Sequence, residues 1–206
     1  MMQRTKIEGL FIWTDYISER EEKALLDLVD SQEWSTELTR RVQHFGARYC
    51  YKSKKLFRDV SPIPEEFIQL MLKYNLKRAT FPTATFDSLW EVLNPPFVPE
   101  QVIVNEYMPG QGIAPHVDSK DCFGETILSL SLGSQTTMTF ENLQSKEKIS
   151  YLIPRCSLVI MEDEAREFWA HSIPARVYDD FARRSRRVSL TFREILKGSK
   201  NYQNMD

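Results

Sequence analysis

Two of the three histidines stand where a metal could use them. His116-Val117-Asp118 sets an imidazole and a carboxylate two positions apart, and His171 follows 53 positions after Asp118. On a strand, side chains at i and i+2 share a face, so both groups can reach one point. Two neutral imidazoles and one carboxylate make a facial set that leaves positions open on a ferrous ion. A hydrogen-bonded surface pair is the alternative that the tripeptide alone leaves standing. A second constellation is Arg187-Val188-Ser189-Leu190-Thr191-Phe192-Arg193, which alternates throughout. Val188, Leu190 and Phe192 take one face; Arg187, Ser189, Thr191 and Arg193 take the other. That polar face is either solvated or the seat of an anion, which a guanidinium fork grips in a bidentate pair. In Val102-Ile103-Val104-Asn105-Glu106-Tyr107, Asn105 and Tyr107 share a face, and both can donate hydrogen bonds to a carboxylate or keto acid. A strand that merely ends in polar residues is the competing reading there.

Such groups need a β framework to bring them together. Short β-branched or alternating runs at 101–107, 126–132, 136–140, 149–153, 157–161 and 187–193 are separated by turn signals such as Pro109-Gly110-Gln111-Gly112 and Gly133-Ser134. Many short strands at that spacing predict a sandwich or jelly roll. Ahead of them, Ser18-Glu19-Arg20-Glu21 is a capping box that opens a helix, with Leu25, Leu28 and Val29 on one face and Leu26 beside it. Pro64 suits a first helical position, and Phe67, Ile68, Met71, Leu72 and Leu76 follow it. Between the helices, Tyr49-Cys50-Tyr51 predicts a strand or hairpin, and the prolines of 80–100 predict a loop. The expected fold is mainly β with flanking helices (α+β): a core over 101–195 and an N-terminal extension over 1–100.

At 206 residues a single domain is expected. The longest apolar stretches, Gly9–Trp13 and Ser157–Met161, are too short to span a bilayer, and no basic, then apolar, N-terminal leader is visible. Cys50, Cys122 and Cys156 are odd in number and far apart, which fits a reducing compartment and excludes a zinc ribbon. An intracellular protein, cytoplasmic or nuclear, is therefore expected. The net charge of −2 excludes coating nucleic acid by bulk electrostatics. It hides a local excess: residues 40–58 carry seven Lys or Arg and no Asp or Glu, so the remainder sums to −9, from −2 minus 7. Aromatic residues interleave with those cations, a pattern that suits phosphates and stacked bases, although the aromatics could equally pack on the sheet.

Taken in order, Asn105 to Gly110, His116-x-Asp118, His171 and Arg187 to Arg193 resemble the AlkB family of Fe(II)- and 2-oxoglutarate-dependent dioxygenases. Similarity is closer to the branch that hydroxylates the tRNA wobble uridine, through Pro109–Ile113, Ser129–Ser134 and, more weakly, Arg41-Val42-Gln43-His44-Phe45-Gly46. The resemblance implies a double-stranded β-helix holding Fe(II) through His116, Asp118 and His171. It implies that Arg187 clamps 2-oxoglutarate with help from Asn105 and Tyr107, that Arg193 supports Asp118, and that O2 is the cosubstrate. It makes 40–58 a nucleotide-recognition lid, with Arg41, His44, Tyr49 and Tyr51 as candidate substrate contacts. The implied partner is tRNA or another single-stranded or looped RNA, because a base inside a duplex cannot reach an enclosed iron. A separate tRNA methyltransferase is a further expected partner. Three alternatives stay open: a demethylase of N-alkylated DNA or RNA bases, a protein hydroxylase on the same scaffold, and a non-catalytic metal-binding jelly roll.

Overall fold

Alternation along the strands sorts the chain into two faces. In the computed structural model, which describes residues 1–37, 39–50, 52–79, 96–196 and 202–203, the larger sheet has seven antiparallel strands. With strands numbered along the chain, its spatial order is β1 (Met2–Arg4), β2 (Leu10–Trp13), β11 (Ser157–Met161), β8 (Phe123–Leu132), β15 (Arg187–Ile195), β6 (Gln101–Tyr107) and β3 (Val42–Phe45). A smaller sheet runs β10 (Lys148–Ile153), β9 (Thr136–Asn142), β12 (Trp169–Ile173) and β7 (Ile113–His116), again antiparallel. Within the basic segment 40–58, where a lid was expected, lies the hairpin β4 (Arg48–Cys50) and β5 (Lys55–Phe57), with β16 (Tyr202–Gln203) parallel to β5. A last hairpin, β13 (Tyr178–Asp179) and β14 (Ala182–Arg183), follows β12.

One face of the larger sheet is a continuous apolar layer. Val102, Val104, Leu128, Leu130, Leu158, Ile160, Leu190 and Phe192 pack there against the two long helices, α1 (Glu19–Asp30) and α2 (Glu65–Ala79). The capping box forms as expected: the Ser18 hydroxyl accepts from the Glu21 amide while the Glu21 carboxylate accepts from the Ser18 amide. Leu25 and Val29 bury the inner stripe of α1. In α2 the buried stripe is Phe67, Leu70, Met71 and Tyr74, an i, i+3, i+4, i+7 set. Leu72 and Leu76 lie on the outer side, 49% and 73% exposed. The opposite face of the larger sheet meets the smaller one over a second core that includes Ile127, Met138, Phe140, Val159 and Met161. The site lies between these two sheets. The expected jelly roll and the helices outside it are both present; the sequence reading did not pick out β1, β2 or the short helix α3 (Asp163–Glu167). Of the loop expected over 80–100, residues 80–95 lie outside the described residues.

Candidate active site

The smaller sheet aligns the histidines. β7 and β12 are antiparallel neighbours in which His116 and His171 are directly opposed, with ring centroids 4.3 Å apart. The Nδ1–H of His116 can donate to the carbonyl of Ala114, 2.9 Å away, which leaves the Nε2 lone pair available to a metal. Burial and the neighbouring His116 lower the His171 pKa to about 4, so His171 is a neutral imidazole at physiological pH. Strand β7 ends at His116, so Asp118 stands two residues beyond it rather than inside a strand. Its loop is fastened by Arg166 of α3. That buried guanidinium donates to the carbonyls of Asp118 at 2.9 Å, Gly124 at 3.2 Å and Ser119 at 3.3 Å. Sequence reasoning missed Arg166, because an arginine that binds only carbonyls leaves no motif.

Asp118 is where the two sheets meet chemically. Arg193 of β15 donates to its Oδ1 at 2.6 Å, whereas its buried Oδ2 has no hydrogen-bond partner. Burial alone would raise this carboxyl, but Arg193, both imidazoles and Arg166 outweigh it and hold the pKa at about 2. Among the described residues no three His, Cys, Asp or Glu side chains are already drawn into a closed metal cage. What stands here is a donor set: two opposed imidazoles, one of them kept neutral by burial, and a permanently ionised carboxylate with one oxygen unused. Those donor types match a 2-His-1-carboxylate site for ferrous iron.

Deeper along β15, Arg187 is 3% exposed. Its Nη2 donates to the Ser131 hydroxyl at 2.7 Å, and its guanidinium carbon lies 5.3 Å from the Tyr107 ring centroid. Its Nε and Nη1 have no partner. Burial lowers its pKa to about 10, still charged at neutral pH. A buried cation with two unsatisfied donors is costly unless an anion arrives, and a carboxylate fits the fork. Asn105 and Tyr107 line the same cleft. Arg40 Nε donates to Asn105 Oδ1 at 2.8 Å, which leaves the Asn105 amide hydrogens to face a ligand. Ser129 and Ser131 of β8 join this polar wall, with the hydroxyls of Ser129 and Ser189 3.0 Å apart. The alternation of Ser129-Leu130-Ser131-Leu132 was the available signal for them. A second hollow, lined by Tyr16, Lys73, Lys77 and Arg155 beside the start of α1, holds none of these groups.

The four expected substrate contacts fare differently. Arg41 points away from the cleft: it grips Glu106 through two hydrogen bonds of 2.6 and 2.7 Å and lies 4.8 Å from the Trp34 ring centroid. The reason is strand parity. β3 pairs with β6 so that Val42 opposes Asn105 and His44 opposes Ile103, which turns Arg40, Val42 and His44 inward and Arg41 outward. His44 is on the cleft side, and burial together with Arg48 and Arg193 lowers its pKa to about 4. The Tyr49 ring packs 5.6 Å from that of Phe123, on the inter-sheet core. Tyr51 lies outside the described residues. The lid's charge is also partly spent within the fold, since Arg48 pairs with Asp59 and Arg58 with Glu100. Arg184 and Arg186, close in sequence to Arg187, are tied to Asp179 and to Asp30 and Glu106.

Comparison with known proteins gives the chain a family. Residues 9–193 match the 2OG-Fe(II) oxygenase superfamily. The chain is 36% identical to "Uncharacterized protein L905" of Acanthamoeba polyphaga mimivirus, over 99% of this chain and 93% of that protein. It is 29% identical, over 91% of its length, to the tRNA (carboxymethyluridine(34)-5-O)-methyltransferase alkbh8 of Xenopus tropicalis, and spans only 32% of that relative. The solved structure of OsALKBH1 superposes with a TM-score of 0.76 at 17% identity, covering 94% of this chain and all 100% of the other, which is a likeness of fold.

Proposed function

The chain belongs to the 2OG-Fe(II) oxygenase superfamily and is an AlkB-like, 2-oxoglutarate-dependent dioxygenase, and from that premise we propose that it oxidises a modified base in RNA, with the side chain of a tRNA wobble uridine favoured. The observation that carries the site assignment is the under-satisfied guanidinium of Arg187 in the same cleft as the opposed His116 and His171, with Asp118 held by Arg193, which also lines that cleft. His116, Asp118 and His171 would hold the iron. Arg187 would take the distal carboxylate of 2-oxoglutarate on its unpartnered Nε and Nη1, and the Asn105 amide and Tyr107 hydroxyl would donate beside it. Bound there, Fe(II) and 2-oxoglutarate supply the oxidation of a substrate C–H bond by O2, with decarboxylation to succinate.

The remaining work belongs to the protein. Arg193 keeps Asp118 ionised and turned, so that its free oxygen is the one offered. Arg40 orients Asn105 from the base of the lid. The apolar layers on either side exclude water from a site where charges must stay paired. The substrate then decides the product. A hydroxylated carbon bonded to a base nitrogen collapses with loss of aldehyde, whereas one without that leaving group persists as an alcohol.

For RNA, the supporting features are the exposed Lys52 and Lys54 at the lid tip, the inward-facing Arg40 and the name of the Xenopus relative. That relative is called a methyltransferase, and a separate tRNA methyltransferase that supplies an esterified uridine is part of the same reading. Nucleoside mass spectrometry of tRNA from cells with and without the protein tests it. An ester-bearing uridine should accumulate in the protein's absence. Accumulation of N-methylated bases instead would move the assignment to demethylation, and unchanged RNA nucleosides alongside a hydroxylated protein target would replace it.

A further inference from the structure

Five residues beyond Ile173, a wall of the cleft, the chain enters the hairpin β13–β14. Phe181, beside its tip, is 102% exposed, more than any other large hydrophobic side chain among the described residues. Tyr178 and Val177 beside it, and Met108 across the neighbouring turn, are exposed as well. Exposed apolar side chains gathered on one hairpin and the turn beside it suit a contact site. The hairpin is also stiff. Asp179, 0% exposed, accepts from Arg176 at 2.8 and 2.9 Å and from Arg184 at 2.5 and 2.8 Å, and Arg184 further donates to the Pro174 carbonyl at 2.8 Å. A fold that clamps its hairpin from beneath and leaves a phenyl ring in water has arranged a presented ring, not a loose loop.

The hairpin stands on the rim that the lid also reaches. The Gly110 amide donates to the Arg176 carbonyl at 3.2 Å, and the side chain of Gln111 donates to the Thr39 carbonyl at 3.2 Å. Gly112 packs so tightly on the end of β12 that a Cβ there would lie 2.2 Å from the Ile173 carbonyl oxygen. The turn 109–112 thus joins the lid base, the cleft and the hairpin into one edge. Charge along it is positive. Residues 174–184 hold three arginines against two aspartates, so their sum is +1 in a chain of −2, and Arg40 adds a cation that donates to an amide oxygen rather than to a carboxylate.

We propose that Phe181 is a stacking platform for an unpaired base of the RNA, outside the nucleotide that enters the cleft, with the exposed Arg183 facing the adjacent phosphate. This rests on the RNA reading above. An aromatic face accepts any base, and flanking cations neutralise the backbone without reading sequence. The hairpin would therefore supply sequence-tolerant affinity and leave selection of the modified base to the cleft.

The test uses the full chain with Mn(II) and N-oxalylglycine and an anticodon stem-loop RNA carrying 2-aminopurine in its loop. Stacking on Phe181 quenches the probe. Phe181→Ser should weaken binding about 5- to 100-fold, the range expected for one lost base–aromatic stack, with the slope of log Kd against log salt unchanged. Phe181→Trp should keep the affinity, and the melting temperature of both variants should match the wild type, since the ring is fully exposed. Arg183→Glu should instead flatten the salt slope by about one. Equal affinity of Phe181→Ser and wild type, as a protein-docking role for the hairpin would give, overturns the hairpin proposal and leaves the RNA reading intact. Failure of the wild type to bind any loop RNA overturns both.

Discussion

Replacing Arg187 by methionine should make the ligand-free protein more stable and the ligand-bound protein no better. The guanidinium is 3% exposed, with Nε and Nη1 unpartnered. Each unsatisfied buried donor costs about 1–3 kcal/mol. Against this stand one hydrogen bond to Ser131 and one contact with the Tyr107 ring, together worth about 2 kcal/mol. Two orphaned donors at the middle of the range, less those gains, leave a net penalty of about 2 kcal/mol. Methionine fills a similar volume without charge, and replacing buried ionic groups by apolar ones of like shape is often stabilising. For a chain of this length, about 2–4 °C in melting temperature accompanies each kcal/mol, so Arg187→Met should melt about 4–8 °C above wild type without ligand. With Mn(II) and saturating N-oxalylglycine the order should reverse, because losing one partner of a buried carboxylate–guanidinium pair costs about 2–5 kcal/mol of affinity. Thermal melting of both proteins, with and without the two ligands, reads this directly. A destabilised Arg187→Met that keeps the full ligand-induced shift would refute the assignment of Arg187 as the cosubstrate clamp.

Two further outcomes follow from neighbouring contacts. Arg40→Gln removes the guanidinium that holds Asn105 Oδ1 and should raise the 2-oxoglutarate KM several-fold in an uncoupled succinate assay with little change in melting temperature; an unaltered KM would detach the lid base from the cosubstrate. Asp179 has its pKa well below the usual range because its hydrogen bonds from Arg184 and neighbours outweigh burial. A depressed folded-state pKa stabilises above the unfolded value of about 3.9 and loses that contribution as pH falls. Asp179→Asn should therefore cost about 3–5 kcal/mol at pH 7 and progressively less in urea titrations below pH 4; a pH-independent difference would show that the carboxylate's charge is not what the hairpin uses.

The chemistry was more legible in the sequence than its surroundings were. Alternation from Arg187 to Arg193 survives intact, with the arginines inward and Val188, Leu190 and Phe192 on the helix side, because a strand buried on both faces cannot hide its period. The two histidines fall on paired strands, as the resemblance implied. Register between distant strands was not legible. Nothing local states that Val42 opposes Asn105, and a shift of one residue exchanges every inward and outward side chain, so Arg41 rather than Arg40 looked like the cleft residue. The buried face of α2 was not legible for a similar reason: Leu72 and Leu76 are apolar but exposed, whereas Tyr74 fits the buried stripe and its ring packs 6.1 Å from that of Phe97. Arg166 acts through carbonyls and Arg186 through carboxylates far along the chain, Asp30 and Glu106, and no short motif encodes such partners.

The claim on which everything else depends is that His116, Asp118 and His171 together hold one ferrous ion. Anaerobic equilibrium dialysis against Fe(II) and 2-oxoglutarate, with metal counted by mass spectrometry, measures it without reference to substrate. One iron per wild-type chain, and none retained by folded His116→Ala, Asp118→Ala or His171→Ala, is the expected result. A wild type without stoichiometric iron, or an Asp118→Ala chain that keeps it, would contradict the account.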